Sequence, residues 1–408
     1  MDVGASPSSA TSRQELLVAL AEPLDPDAAE EFARLVFFVD ESIEEFELAY
    51  SPDGKVTGVQ VMVADPGEGQ QERLGRQFNA LLSGDFSRRA PAAGRTLWRV
   101  AGAHQPIDVF DDLVASGSAF RSAQGQVAIG GPMLTALEFL DARLRDLACS
   151  YGAVEYRYPT LLPTSVIESC GYLDSFPHLI MFVSRLRGNA GEYERFGAAR
   201  RGGAAVEDVA LRFARDAGHC LPPTMCFHTY HQYAGRRLAA GSNAVVTSRG
   251  KAFRFESRYA RGLERLWDFT LRETVFLGSR DFVRSSRRRM MDDVRALLED
   301  LGLAACCTVG NDPFFAQPGR GTKIALQVLA ETKYELRMPL DDRRTVAVGS
   351  FNYADDFFTN RFDIRYDDGS AARTGCVGFG LERLAYAFLC QHGLDPRAWP
   401  AAVGACPR

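Results

Sequence analysis

Two separated stretches of this chain carry residue types whose spacing suits chemistry better than packing. Residues 252–278 run AFRFESRYARGLERLWDFTLRETVFLG, a pattern of strand, long polar loop and strand. Side chains alternate along a strand, so Phe-Arg-Phe-Glu places Arg254 and Glu256 on one face, and Phe269, Leu271 and Glu273 share a face of the return strand. A hairpin that turns Arg, Glu, Phe and Glu the same way makes a poor core and a good floor for a polar site. Taken alone, Arg254 and Glu256 also fit a cross-strand surface ion pair worth under about 1 kcal/mol. The second stretch is Gly375-Cys376-Val377-Gly378-Phe379-Gly380-Leu381-Glu382-Arg383, a glycine-rich strand end that feeds an apolar helix with Arg383 in its first turn.

The elements that must position these groups belong to a chain of 408 residues, 46% hydrophobic and 24% charged, ordinary values for a soluble globular protein. That length accommodates two or three domains, or one large catalytic domain with an appendage. Residues 26–38 have the pattern of an amphipathic helix. Alternating segments at 43–50 and 56–63 flank Ser51-Pro52-Asp53-Gly54, the turn chemistry of a β-hairpin, and 70–82 reads as a second helix. This gives a small α+β extension over residues 1–107, rich in Pro, Gly and Ala at its exit (88–94). From residue 108 the character changes. Leu134, Leu137, Leu140, Leu144 and Leu147 form one helical stripe, a strand follows at 154–158, and another helix is expected over 281–301. Residues 108–408 are therefore expected to form the catalytic domain.

Composition also excludes. No run of about 18 apolar residues exists, so no membrane-spanning helix is expected. The start, MDVGASPSSATSRQE, lacks the basic and apolar segments of a secretory signal and is expected to be a short disordered lead on a cytoplasmic protein. Nine cysteines, an odd number with no C-x-x-C pair, are expected to be mostly reduced thiols, with a few serving as ligands. The net charge of −5 argues mildly against a large nucleic-acid surface, and the basic run RSSRRR at 284–289 reads as a solvated helix start.

The hairpin resembles the second signature motif of class II aminoacyl-tRNA synthetases, with Arg265, Phe269 and Glu273 at the spacing of seryl enzymes. The glycine-rich stretch ending in Arg383 resembles motif 3, in the expected order about a hundred residues later. The helix, strand and Pro159 around 134–159 resemble motif 1, which forms the dimer interface in that class. Residues 168–176, Asn311-Asp312-Pro313-Phe314-Phe315 and Lys333-Tyr334-Glu335-Leu336 follow in family order, so the resemblance covers about 108–402. It implies an α+β fold, an antiparallel sheet flanked by helices.

It also implies roles. Arg254 would meet the α-phosphate of ATP and the substrate carboxylate, as guanidinium suits both oxygens. Arg383 would meet the γ-phosphate and lie over adenine, with Phe269 on the other face and Glu256 on the adenine amino group. Cys226, 47 residues before Glu273, and Cys376, 103 after it, complete a Cys/Glu/Cys order. That order resembles the zinc site of methanogen-type seryl-tRNA synthetases and of amino acid:[carrier protein] ligases. Three protein ligands leave a fourth position open to an α-amine. Cys226 and Cys376 as small buried hydrophobes are the bland alternative, and His228 and His231 are rival ligands read as local structure. Glu335 stands in for a magnesium-binding acid that residues 345–348 lack.

Segments 171–177, 350–353 and 374–377 resemble the carrier-protein ligases, and no heptad-patterned tRNA-binding arm precedes them. The implied activity is ATP-dependent activation of a small amino acid, glycine or alanine, as the adenylate. Transfer to the phosphopantetheine thiol of an acyl-carrier-type protein follows, on a homodimer that needs no tRNA and no membrane. An atypical seryl-tRNA synthetase would need a basic, extended arm. A non-catalytic regulator would be expected to have lost Arg254 or Arg383.

Overall fold

The computed structural model describes residues 12–25, 29, 32–33, 35–83, 95–256, 262–310 and 332–404. At the N-terminal end, β1 (Arg13–Leu24), β2 (Ile43–Tyr50) and β3 (Val56–Ala64) form an antiparallel sheet of order β1-β3-β2. The strand β1 begins at Arg13, inside the stretch expected to be a lead. Gly54 closes the β2–β3 turn at φ +82°, a conformation open to glycine at little cost. Val59, Val61 and Val63 alternate inward from β3, and α1 (Gln70–Ser83) lays Leu74, Phe78 and Leu81 on them. Phe32 and Val36 complete this core. They belong to the helix expected over 26–38, much of which lies outside the described residues, as do 88–94, the loop 257–261 and the segment 311–315.

The rest of the chain is organised by one eight-stranded sheet. Its strands are β4 (Thr96–Val100), β5 (Val154–Tyr156), β6 (Ala244–Phe253), β7 (Asp268–Gly278), β8 (Ala305–Val309), β9 (Lys333–Pro339), β10 (Thr345–Asp355) and β11 (Arg373–Gly380). The order is β4-β8-β9-β10-β11-β7-β6-β5. Every pairing is antiparallel except the outermost, β5 on β6. The strand β4 precedes residue 107 yet pairs with β8, so the large sheet takes in part of the stretch expected to belong to the extension.

Alternation gives the sheet two different faces. Phe276, Val377 and Phe379 join a core with three helices, α2 (Gly131–Ser150), α4 (Arg280–Asp300) and α5 (Leu381–His392). Val275, Leu277 and Cys376 join a second core with the short helix α3 (Cys226–Gln232). In α2 the buried stripe is Met133, Leu137, Leu140 and Leu144, while Leu134 is 42% exposed. In α4 the basic run is not wholly solvated, because Ser286 and Arg287 turn inward and the Arg287 guanidinium lies 4.7 Å from the Tyr334 ring centroid.

The helix-facing side also holds a buried charge network. Arg272, 1% exposed, donates Nε and Nη2 to both carboxylate oxygens of Asp141 at 2.6 and 2.9 Å, and Nη1 to Glu155 at 2.8 Å. Burial works against its charge, but these bonds outweigh burial and hold its pKa above the ordinary arginine value. Arg249 forks onto Glu138 at 2.6 Å twice and reaches Asp141 at 3.2 Å. The network ties α2 to β5, β6 and β7, the strands beneath the site. Among the described residues no helix is long and apolar enough to cross a membrane.

Candidate active site

Strand register builds the site. Glu273 on β7 stands directly opposite Gly378 on β11, and Val275 stands opposite Cys376. Glu273 and Cys376 therefore point to one face as diagonal neighbours. Glycine at 378 leaves the room, since a Cβ built there would lie 2.9 Å from Glu273 Cγ. From the other side α3 begins at Cys226, and its first turn aims backbone donors at the carboxylate. Glu273 Oε2 accepts from Met225 N at 2.6 Å, Cys226 N at 2.7 Å and Thr224 Oγ1 at 2.8 Å. Among the described residues no hydrogen bond reaches the other carboxylate oxygen.

Cys226 Sγ, Cys376 Sγ and a Glu273 oxygen lie within 4.8 Å of one another, all three residues buried. Ligand atoms on one tetrahedral zinc lie roughly 3.5–3.8 Å apart, given Zn–S of about 2.3 Å and Zn–O of about 2.0 Å. Little closure is needed. Outer contacts are in place as well, with Asn352 Nδ2 donating to Cys376 Sγ at 3.6 Å and Thr224 Oγ1 3.6 Å from Cys226 Sγ. Burial drives the Cys226 thiol well above the ordinary cysteine pKa, and Cys376 and Glu273 push it further. A thiol buried in this way resists ionisation unless a cation joins it. The set fits a soft divalent ion.

This donor set lies in the wall of a cavity of about 780 Å³, which Arg254, Phe269, Leu271, Glu273, Glu335, Glu382 and Arg383 also line. Arg254 donates Nε to Pro223 O at 3.1 Å and its guanidinium sits 5.4 Å from the Phe269 ring centroid. Arg383 donates to Ala347 O at 3.3 Å. Glu382 is buried against Thr270, whose N–H and hydroxyl both donate to it at 2.7 Å, and burial raises its pKa.

Some expected placements differ. The strand β6 ends at Phe253, so Arg254 and Glu256 do not alternate within it. The backbone leaves the ladder there, as Phe255 N donates to Leu179 O at 3.0 Å. Glu256 is not among the cavity-lining residues and faces Arg265 Nη1 at 3.4 Å. Glu335 lies between Lys333 Nζ at 3.3 Å and Arg337 Nη1 at 3.6 Å. A carboxylate already shared by two cations does not fit the oxygen-rich set magnesium requires. His228 is buried away from the donor set, its ring stacked 5.2 Å from Tyr158. Burial pulls its pKa to about 4.

Thr224 was not singled out from sequence, and Asn352 and Gly378 stood there only inside the quoted stretches 350–353 and 375–383, with no role of their own. Gly378→Ala is expected to displace the Glu273 carboxylate and weaken metal binding by about 10–100-fold, the effect of disturbing a ligand's support. A chelator competition titration reads this directly.

No protein-family model matches the chain. Among curated proteins it is 34% identical over 270 residues to amino acid–[acyl-carrier-protein] ligase 1 of Bradyrhizobium diazoefficiens, covering 65% of this chain and 81% of that protein. It is 29% identical over 290 residues to the type-2 serine–tRNA ligase of Methanococcus aeolicus, covering 69% of this chain and 55% of that one. The fold matches M. kandleri seryl-tRNA synthetase, solved with A. aeolicus tRNASec. The TM-score is 0.68 at 20% identity, over 96% of this chain and 76% of the other. It also matches the seryl-tRNA synthetase of Pyrococcus horikoshii solved with ATP, with TM-score 0.54 at 14% identity, over 73% and 62% of the two chains. The sheet order, the donor register and the ligase relative thus converge, and the chain belongs to the amino acid–[acyl-carrier-protein] ligase family, enzymes built on the class II synthetase fold.

Proposed function

We propose that this protein activates a small amino acid, glycine or alanine, with ATP and transfers it to the phosphopantetheine thiol of a carrier protein. One observation carries the reading. Cys226, Glu273 and Cys376 converge in the same cavity wall that presents Arg254, Phe269 and Arg383. In this reading Arg254 bridges the substrate carboxylate and the α-phosphate, and Phe269 and Arg383 bracket adenine. Arg383 also meets the γ-phosphate, and Glu256, outside the cavity lining and facing Arg265, is given no part in this reading. Zinc, held by Cys226, Glu273 and Cys376, would supply an open position for the neutral α-amine.

In the first step a carboxylate oxygen bonds to the α-phosphorus and the bond to pyrophosphate breaks. Arg254 offsets the charge that develops, so positioning and electrostatics supply most of the rate. In the second step the pantetheine sulfur bonds to the carbonyl carbon, its proton passes to solvent and AMP leaves. We assign magnesium no ligand, because Glu335 is already paired.

The N-terminal unit supports a protein acceptor over RNA. Residues 13–83 carry 15 Asp and Glu against 5 Lys and Arg, a balance that repels a phosphate backbone. Acceptor assays with radiolabelled glycine and alanine separate the two. Label is expected on a phosphopantetheinylated carrier, released by hydroxylamine, and not on the apo-carrier or on total tRNA. Acid-stable label on tRNA alone would contradict the proposal.

A further inference from the structure

The N-terminal unit touches the catalytic unit at a place that bears on the nucleotide site. Phe38 follows the first helical segment, where Phe38 N donates to Leu35 O at 3.0 Å. Its ring packs edge-on against His178, centroids 4.8 Å apart, and against Phe255 at 6.4 Å. Phe255 in turn lies 4.7 Å from Trp267, and the Trp267 indole rests on Gly125, where any Cβ would collide with it. These rings surround the backbone that carries Arg254. Arg254 N donates to Trp267 O at 3.0 Å, Phe255 N to Leu179 O at 3.0 Å and Trp267 N to Gly125 O at 2.7 Å. Leu179, next to His178, lines the cavity.

We propose that Phe38 is a positioning residue for ATP binding. By closing the aromatic cluster of His178, Phe255 and Trp267, the N-terminal unit fixes the short segment after β6 from which Arg254 enters the cavity. This rests on the assignment of Arg254 to the ATP phosphate. Without the cap, Phe255 and His178 lose a packing partner, and the arm that has left its strand is held by the backbone bonds at 254 and 255, the Phe255–Trp267 contact and the Arg254 bond to Pro223 O. Edge-on aromatic contacts of this kind orient as well as attract.

The test uses the full chain with Phe38→Ala, Phe38→Leu and, on the opposite side of the contact, His178→Ala. Hydrogen exchange over the peptide containing Arg254 and Phe255 is expected to accelerate at least tenfold in Phe38→Ala and His178→Ala. The KM for ATP in pyrophosphate exchange should rise about tenfold, with kcat within twofold and the amino-acid KM unchanged. Phe38→Leu should restore most of both, and the double variant should be no worse than either single one. Unchanged hydrogen exchange and unchanged ATP KM in both single variants would overturn the proposal. So would faster hydrogen exchange with an unchanged KM. If wild type itself supports no pyrophosphate exchange, the activity reading fails instead, and calorimetric ATP affinity with hydrogen exchange decides the role of Phe38.

Discussion

The Cys226→Ala protein is expected to purify with little zinc and to lose amino-acid-dependent ATP–pyrophosphate exchange by about 10²–10³-fold. The magnitude follows from ligand arithmetic. Structural zinc sites with four protein ligands bind with roughly 10–16 kcal/mol, or about 2.5–4 kcal/mol per ligand, and each 1.4 kcal/mol is a factor of ten. Among the described residues the site offers Cys226, Glu273 and Cys376, with no ligand to spare. In the proposed reading, loss of the ion would free the α-amine, so the carboxylate would no longer be aimed at the α-phosphorus and the advantage of positioning would be lost. The fold should tolerate the change, since the substitution removes one sulfur atom at the start of α3. Metal analysis and pyrophosphate exchange on the same preparation test both halves. Full exchange in a zinc-free variant would contradict the role of the donor set.

Arg272→Ala is expected to destabilise the protein by about 3–5 kcal/mol, the cost of leaving a buried carboxylate without its partner. Asp141 is 5% exposed and takes two of the three bonds Arg272 donates. Arg249 reaches Asp141 with one nitrogen at 3.2 Å, which does not replace a fork. The companion double variant, Arg272→Met with Asp141→Leu, should recover most of the loss, because matched apolar pairs fill such sites at little cost. Denaturant unfolding of the three proteins checks this. Equal stability of Arg272→Ala and wild type would mean the network carries no weight. Activity should fall in Arg272→Ala beyond the loss of folded protein, as Glu273 is the adjacent residue on β7.

These two expectations sit at opposite ends of what the chain shows before it is folded. Phe269, Leu271 and Glu273 share a face by alternation alone, and all three line the cavity. A two-residue period needs no tertiary information, so strand faces are legible wherever a strand persists. Arg254 and Glu256 show the limit. The same alternation puts them together, but β6 stops at Phe253 and the Phe255 amide donates to Leu179 O, about 75 residues earlier, instead of to the neighbouring strand. Arg272 was hidden for a related reason. An arginine between Leu271 and Glu273 looks solvent-facing until Asp141 and Glu155, more than a hundred residues away, arrive on the far side of the sheet. Likewise β4 adds to the outer edge of the sheet by pairing with β8, some two hundred residues later, and nothing local marks that partner. The class II order of motifs was readable because each motif is local. The charge network and the cradle at Gly378 were not, because both exist only across strands.

The most direct test of the account is ATP–pyrophosphate exchange on protein of known zinc content, across glycine, alanine, serine and their N-acetyl derivatives. The account predicts exchange with a small free amino acid at one zinc per chain, and none with the same acid once its amine is blocked. Exchange that ignores the blocked amine, or no exchange with any amino acid on fully metallated protein, would contradict it.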